Sequence, residues 1–151
     1  MRNPCIAAIT ALAASLTCTA ALAQPAAPQG EIKGDALVHT ADSLAASVAQ
    51  AQVCLPAAAT GSTVFCGKFQ DLPKAGGKPV PVVLFLHGSS GLGLKAIGEW
   101  QQWLASLGYA SLAPDSFALP GRMTYKSPID KPTYERVHAL RASEIAPALA
   151  A

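Results

Sequence analysis

A continuous apolar run, Val80-Pro81-Val82-Val83-Leu84-Phe85-Leu86, is rich in β-branched residues and lacks the polar alternation of a half-exposed strand. Such a run predicts a strand buried on both faces, as in a parallel sheet covered by helices. It breaks at His87-Gly88-Ser89-Ser90-Gly91, the carboxyl end of the strand. Open α/β sheets bind their ligands at that end. Beyond it Ala96, Trp100, Trp103, Leu104 and Leu107 fall at i, i+3, i+4 spacing. They predict a helix over 95–107 with one apolar stripe for the sheet. Gly108 suits the left-handed position that ends a helix. Residues 109–115 predict the next strand, closed by Pro114. Strand, helix and strand in that order make a βαβ unit, so the fold class is α/β with parallel central strands and flanking helices.

The flanks carry weaker patterns. Residues 40–52 are Ala-rich with Leu44 and Val48 four apart, predicting a short helix capped by Asp42 or Ser43. Residues 56–62 read as loop, and 63–69 as an early antiparallel strand. A turn region over 71–79 holds Pro73, Gly76, Gly77 and Pro79. A long loop spans 116–131, and loops of that length inside domains are often functional. Tyr134, Val137, Leu140, Ile145 and Leu149 mark a last helix. Pro147 should kink or end it, because proline removes a donor and clashes with the Ser143 carbonyl.

Composition adds a targeting expectation. Hydrophobic residues make up 51% of the 151 residues and charged ones 13%, and part of that bias lies at the start. Arg2, the apolar stretch 6–14 and Ala21-Leu22-Ala23 match a secretory signal cleaved after Ala23. A core helix or membrane anchor fits less well, because Ser15, Thr17, Cys18 and Thr19 interrupt the stretch. The chain is therefore expected to be periplasmic or secreted, with no later segment able to span a bilayer. Residues 24–39 read as linker, 40–78 as a helix and an early strand, and 79–151 as the sheet unit.

Cleavage would remove Cys5 and Cys18, leaving Cys54 and Cys66. In an exported chain these are a natural disulfide pair, with two separate buried thiols as the alternative. No CxxC or Cys/His metal spacing is present, and no metal or cofactor is expected. Eleven basic and nine acidic residues are evenly scattered, which argues against nucleic acid or an anionic membrane as partner.

The 87–91 loop carries the candidate chemistry. Backbone N–H groups in such a turn can converge on a developing oxyanion, with Gly88 letting the backbone approach the substrate. Ser89 N–H is the first candidate donor and Ser90 N–H the second. His87 and Asp115 lie near the same sheet edge and are candidate pocket-lining residues. A triad of His87, Asp115 and Ser89 or Ser90 would need side chains within about 3 Å of each other. His87 is better accounted for as a packing or backbone-bonded residue, and Asp115 as a turn cap. His138 reads as a surface or helix-packing residue, and His39 carries no signal. Gly91-Leu92-Gly93 with Gly98 is too widely spaced for a dinucleotide loop. Trp100 and Trp103 read as a helix face packed on the sheet rather than a ligand-stacking pair.

Several pieces together form a recognisable order. Phe85-Leu86-His87-Gly88, a helix ending in Leu107-Gly108-Tyr109, Ala113-Pro114-Asp115-Ser116-Phe117, Pro120-Gly121-Arg122 and a helix bearing Arg141 resemble the α/β-hydrolase fold. Within that superfamily they look most like the dienelactone-hydrolase group, over roughly residues 65–151. The resemblance implies that 82–86 is the third strand, 109–113 the fourth, and the 87–91 loop half of the oxyanion hole. It implies hydrolysis of a carboxylic ester or lactone by a Ser or Cys nucleophile on a Gly-x-Ser/Cys-x-Gly elbow after the next strand. That elbow is absent here, since Gly88-Ser89-Ser90-Gly91 has the wrong spacing. The expectation is the N-terminal portion of such a hydrolase, truncated before its nucleophile, acid and histidine and inactive alone. The alternative is a periplasmic binding or interaction protein that uses the open edge of its sheet, including for self-association.

Overall fold

The computed structural model describes residues 30–74 and 76–151. The expected leader, with its cleavage after Ala23, and the linker up to residue 29 lie outside the described residues. Among the described residues six strands are formed: β1 (Ile32–Lys33), β2 (Gln52–Leu55), β3 (Phe65–Lys68), β4 (Val82–Leu84), β5 (Ala110–Ala113) and β6 (Thr124–Tyr125). The helices are α1 (Ala41–Ala49), α2 (Ala57–Thr60), α3 (Lys95–Ser106), α4 (Lys131–Ser143) and α5 (Ile145–Ala150).

The main sheet runs β3-β2-β5-β4. Only β4 and β5 are parallel, while β2 lies antiparallel to both β3 and β5. The class is α/β with a mixed sheet. On one face α3 packs over β5 and β2. On the other, Ala51, Val53, Leu112 and Ala148 form the core, joined by Phe69 and Leu72.

Burial corrects the expectation for 80–86. The strand buried throughout is β5, flanked by neighbours on both sides. Strand β4 is an edge, with Val82 exposed and Val83 and Leu84 half-buried. Its apolar run reflects β-propensity and a missing neighbour, not two covered faces.

Local chemistry explains most element boundaries. Helix α1 is capped by Thr40, two positions before the first of the predicted candidates, Asp42 and Ser43. Thr40 Oγ1 accepts the Ser43 N–H and Ser43 Oγ accepts the Thr40 N–H, a reciprocal capping box. Helix α1 stops at Gln50 and β2 begins two residues later, so a strand occupies what the Ala-rich pattern had merged with helix and loop. The expected loop 56–62 holds α2, ended by Gly61 at φ 79°. Helix α3 ends as predicted, with Gly108 at φ 89°. The last helix divides into α4 and α5 at Glu144, three residues before Pro147, which has no N–H for the Ser143 carbonyl. Residues 30–39, read as linker, are tied to the long loop: β1 pairs with β6, and Ala36 bridges Arg122.

The apolar stripe of α3 is the second correction. Gln101 and Ala105 are the buried residues, and Gln101 Nε2 donates to the Gln52 carbonyl at 3.1 Å. Trp100, Trp103 and Leu107 are 56%, 52% and 54% exposed, with the two indoles edge to face at 5.2 Å. The helix sits over β5 and β2 with Gln101 and Ala105, not the Trp-bearing stripe, as its buried residues.

Cys54 and Cys66 stand directly opposite each other in the β2–β3 ladder and form a disulfide, with Cα atoms 4.1 Å apart. Its twelve-residue separation corresponds to about 3 kcal/mol of stabilisation in the chain-entropy model. A Cys54→Ser, Cys66→Ser double variant should lose roughly that amount in a urea titration. Adding reductant to that variant should change nothing further.

Candidate functional site

The parallel β4 and β5 end side by side, which brings the 87–91 loop against the turn that follows Pro114. His87 joins the two. Its Nε2 accepts the Ser116 N–H at 3.1 Å, so that nitrogen carries no proton. Its Nδ1 therefore bears the hydrogen and donates to the Gly88 carbonyl at 2.8 Å. The ring stacks on Phe117 at 5.5 Å. Burial, reinforced by the Arg141 and Arg122 guanidinium groups, pushes the His87 pKa below its ordinary value, against the opposing effect of the Gly88 bond and Asp115. His87 is a neutral strut between two loops.

The cations beside it are themselves held. Arg122 donates from Nε to Ser116 Oγ at 2.8 Å and from Nη1 to the Met123 carbonyl at 3.2 Å. Its guanidinium lies over Phe117, 4.5 Å from the ring centre. Arg141 Nη1 donates to Glu144 Oε2 at 2.6 Å and stands 3.4 Å from His87 Nε2. Glu144 is fully buried, and its other oxygen is 3.0 Å from His39 Nε2. Burial lowers the pKa of both arginines.

The predicted site residues divide accordingly. Gly88, Ser89 and Ser90 are exposed. The Gly88 carbonyl also accepts the Gly91 N–H at 3.2 Å, closing a turn. Ser89 N–H and Ser90 N–H have no protein acceptor among the described residues. A Cβ on Gly88 would meet nothing within 4 Å, so the space above the turn is open. Gly91 has φ 69°, and a Cβ there would come within 3.0 Å of the Phe117 ring, so glycine is required. Asp115 caps the following turn through the Phe117 N–H at 2.9 Å and lies 3.8 Å from His87. Neither serine hydroxyl bonds His87, so these groups form no nucleophilic relay. His138 lies against Tyr134, with ring centres 4.2 Å apart and planes tilted by 55°.

His39, assigned nothing from the sequence, has an enclosed side chain that is hydrogen-bonded at both nitrogens. Its Nδ1 is 3.1 Å from Ser43 Oγ, which with Glu144 gives the spacing of a nucleophile, base and acid. Ser43 is nevertheless buried and committed to the α1 cap. The cluster is a structural clamp. Its partners are more than a hundred residues apart, so no local pattern announced it. Among the described residues, no three His, Cys, Asp or Glu side chains gather as a metal site. An apolar groove of about 800 Å³ runs along α1 past Leu44, Val48, Phe69 and Pro147 and includes none of these residues. No helix among the described residues is long and apolar enough to cross a membrane.

No family model, curated protein or solved structure matches this chain.

Two outcomes follow from the buried network. The unfolded His87 takes up a proton near pH 6.5, the folded ring only at lower pH. Its contribution is therefore complete above about 6.5 and is lost as pH falls below that value. Thermal melts between pH 7.5 and 5 should show the decline, and His87→Gln should flatten it. Glu144→Gln leaves Arg141 as an uncompensated buried cation, so unfolding free energy should fall by about 3–5 kcal/mol in denaturant titrations at pH 7.

Proposed function

We propose that this chain carries the oxyanion-binding half of an ester or lactone hydrolase built on the α/β-hydrolase plan, of the dienelactone-hydrolase kind, and works in an oxidising compartment. The observation that carries this reading is the pair of unpartnered Ser89 and Ser90 amides. They stand on an exposed turn at the carboxyl end of the parallel strand pair, held by His87 and Gly91. The disulfide supports the choice of compartment.

In this reading a nucleophile adds to the carbonyl carbon and the π electrons move onto oxygen. The resulting oxyanion accepts hydrogen bonds from the Ser89 and Ser90 N–H groups. Donors fixed in place before the charge develops need no reorganisation, and one such donor is worth about 10²–10³ in kcat. His87 does not act as the base, because its Nε2 lone pair is occupied by the Ser116 N–H. Asp115 lines the approach while capping its own turn. The nucleophile, acid and catalytic histidine are not among the groups at this turn, so the chain by itself should not turn over ester. A non-catalytic interaction role is the second reading, favoured by the uncovered β4 edge.

A short alkylphosphonate, whose anionic oxygens stand in for the tetrahedral oxyanion, tests the first reading. Titrated into ¹⁵N-labelled protein, it should shift the Ser89 and Ser90 amide resonances saturably and leave β1 unmoved. Unmoved serine amides would overturn the assignment. So would aryl acetate hydrolysis by the pure chain that persists in a Ser89→Ala, Ser90→Ala double variant.

A further inference from the structure

One row of residues crosses the main sheet on the face that carries α3. Cys66 of β3 stands opposite Cys54 of β2, and Cys54 in turn stands opposite Ser111 of β5. Directly opposed residues keep their side chains on one face, with Cβ atoms about 5 Å apart. The row runs from open to enclosed. Cys66 lies on the edge strand and is exposed, Cys54 is 2% exposed, and Ser111 is fully buried. Ser111 Oγ has no hydrogen-bond partner among the described residues. A buried hydroxyl left unpaired destabilises a fold, and this one is placed beside the bridge. A groove lined by Gln52, Lys68, Asp71, Gln101 and Gln102 opens onto both cysteines. Lys68 shares the strand and the face of Cys66, whereas Asp71 lies in the turn beyond.

We infer that the Cys54–Cys66 bridge is an exchange-active disulfide whose outer sulfur is a thiolation site. A small-molecule thiolate of the glutathione class attacks Cys66 Sγ, and Cys54 Sγ leaves beside the Ser111 hydroxyl. The entering lone pair forms the new S–S bond to Cys66, and the pair of the old S–S bond departs on Cys54 as a thiolate. The entering thiol is thereby oxidised to a mixed disulfide and Cys54 is reduced. Displacement at sulfur needs the entering, central and leaving atoms in line. The row extended outward through Cys66 leaves the sheet, since β3 pairs with β2 alone among the described residues. Attack at Cys54 would have to come from the closed Ser111 side, so access selects Cys66. Burial in apolar surroundings raises a thiol pKa and makes a poor leaving group, while a hydroxyl donor lowers it and speeds exchange. Ser111 provides that donor once charge appears on Cys54, which accounts for its having no partner while the bridge is closed. This inference is independent of the oxyanion reading, because it uses the opposite edge of the sheet.

The test is incubation of the folded, disulfide-intact chain with reduced glutathione. Acid quenching freezes exchange by protonating thiolates, and peptic digestion in acid with mass spectrometry locates the adduct. Glutathione is expected on Cys66 with Cys54 as the free thiol, formed at a rate proportional to thiolate concentration and faster than global unfolding. Ser111→Ala should slow this reaction about fivefold. It should leave thermal stability of the bridged chain unchanged or higher, since the hydroxyl has no bond to lose; a merely structural serine would not separate these two readouts. Lys68→Glu, at an exposed position, should slow attack by anionic glutathione about threefold and speed attack by cationic cysteamine, and it serves if Ser111→Ala fails to fold. Glutathione on Cys54, exchange no faster than unfolding, or a Ser111→Ala rate equal to that of the parent chain would each overturn the inference.

Discussion

The buried Arg141–Glu144 pair is the contact on which the arrangement of this chain turns. Removing two opposite charges from water is costly, and their attraction repays it only when geometry is good and the remaining polar atoms find partners. Glu144 meets that condition, with one oxygen on Arg141 and the other on His39. Arg141 meets it in part, since its Nε and Nη2 are buried without a partner among the described residues. The pair sits at the junction of α4 and α5 and reaches the segment before α1 on one side and His87 on the other. Three stretches distant in sequence are thereby held in one place. Few large apolar side chains are fully buried, and the bulkiest enclosed ones are Gln101 and Glu144. Polar bonding therefore carries an unusual share of the specificity of this fold.

That network also sets what the candidate turn can do. His87 is locked as a neutral acceptor and donor between Gly88 and Ser116, so the turn is fixed by the ring rather than served by it. Ser89 and Ser90 N–H are among the loop amides left without a protein acceptor in the described residues, and the proposed reading therefore uses backbone rather than side chains. Strand β4, which leads into this turn, lies at the margin of the sheet, paired among the described residues with β5 alone.

Some of this was legible in the residues. The βαβ unit, the glycine ending α3, the break near Pro147 and the pairing of Cys54 with Cys66 follow from local rules of period, backbone freedom and redox chemistry. Asp115 as a turn cap and His87 as a backbone-bonded residue were equally local inferences. The apolar stripe of α3 and the apolar run of β4 were legible as patterns and misleading as burial. Hydrophobicity states what a face would cover if a neighbour stood there, and sheet order decides whether one does. His39 and Glu144 were illegible, because an isolated histidine and a helix-end glutamate acquire meaning only from each other.

The sequence by itself determined the central strand–helix–strand unit and the helices α1 and α4, where glycine and proline end elements, and that two thiols were available to close a loop. These depend on interactions within a few residues, whose energies do not wait for the rest of the chain. Tertiary structure alone decided that β4 is an edge, that the Trp face of α3 looks outward, and that Arg141, Glu144, His39 and His87 share one buried site. Strand order and buried-charge pairing arise from contacts between residues far apart in the chain, whose partners are chosen only when the layers close.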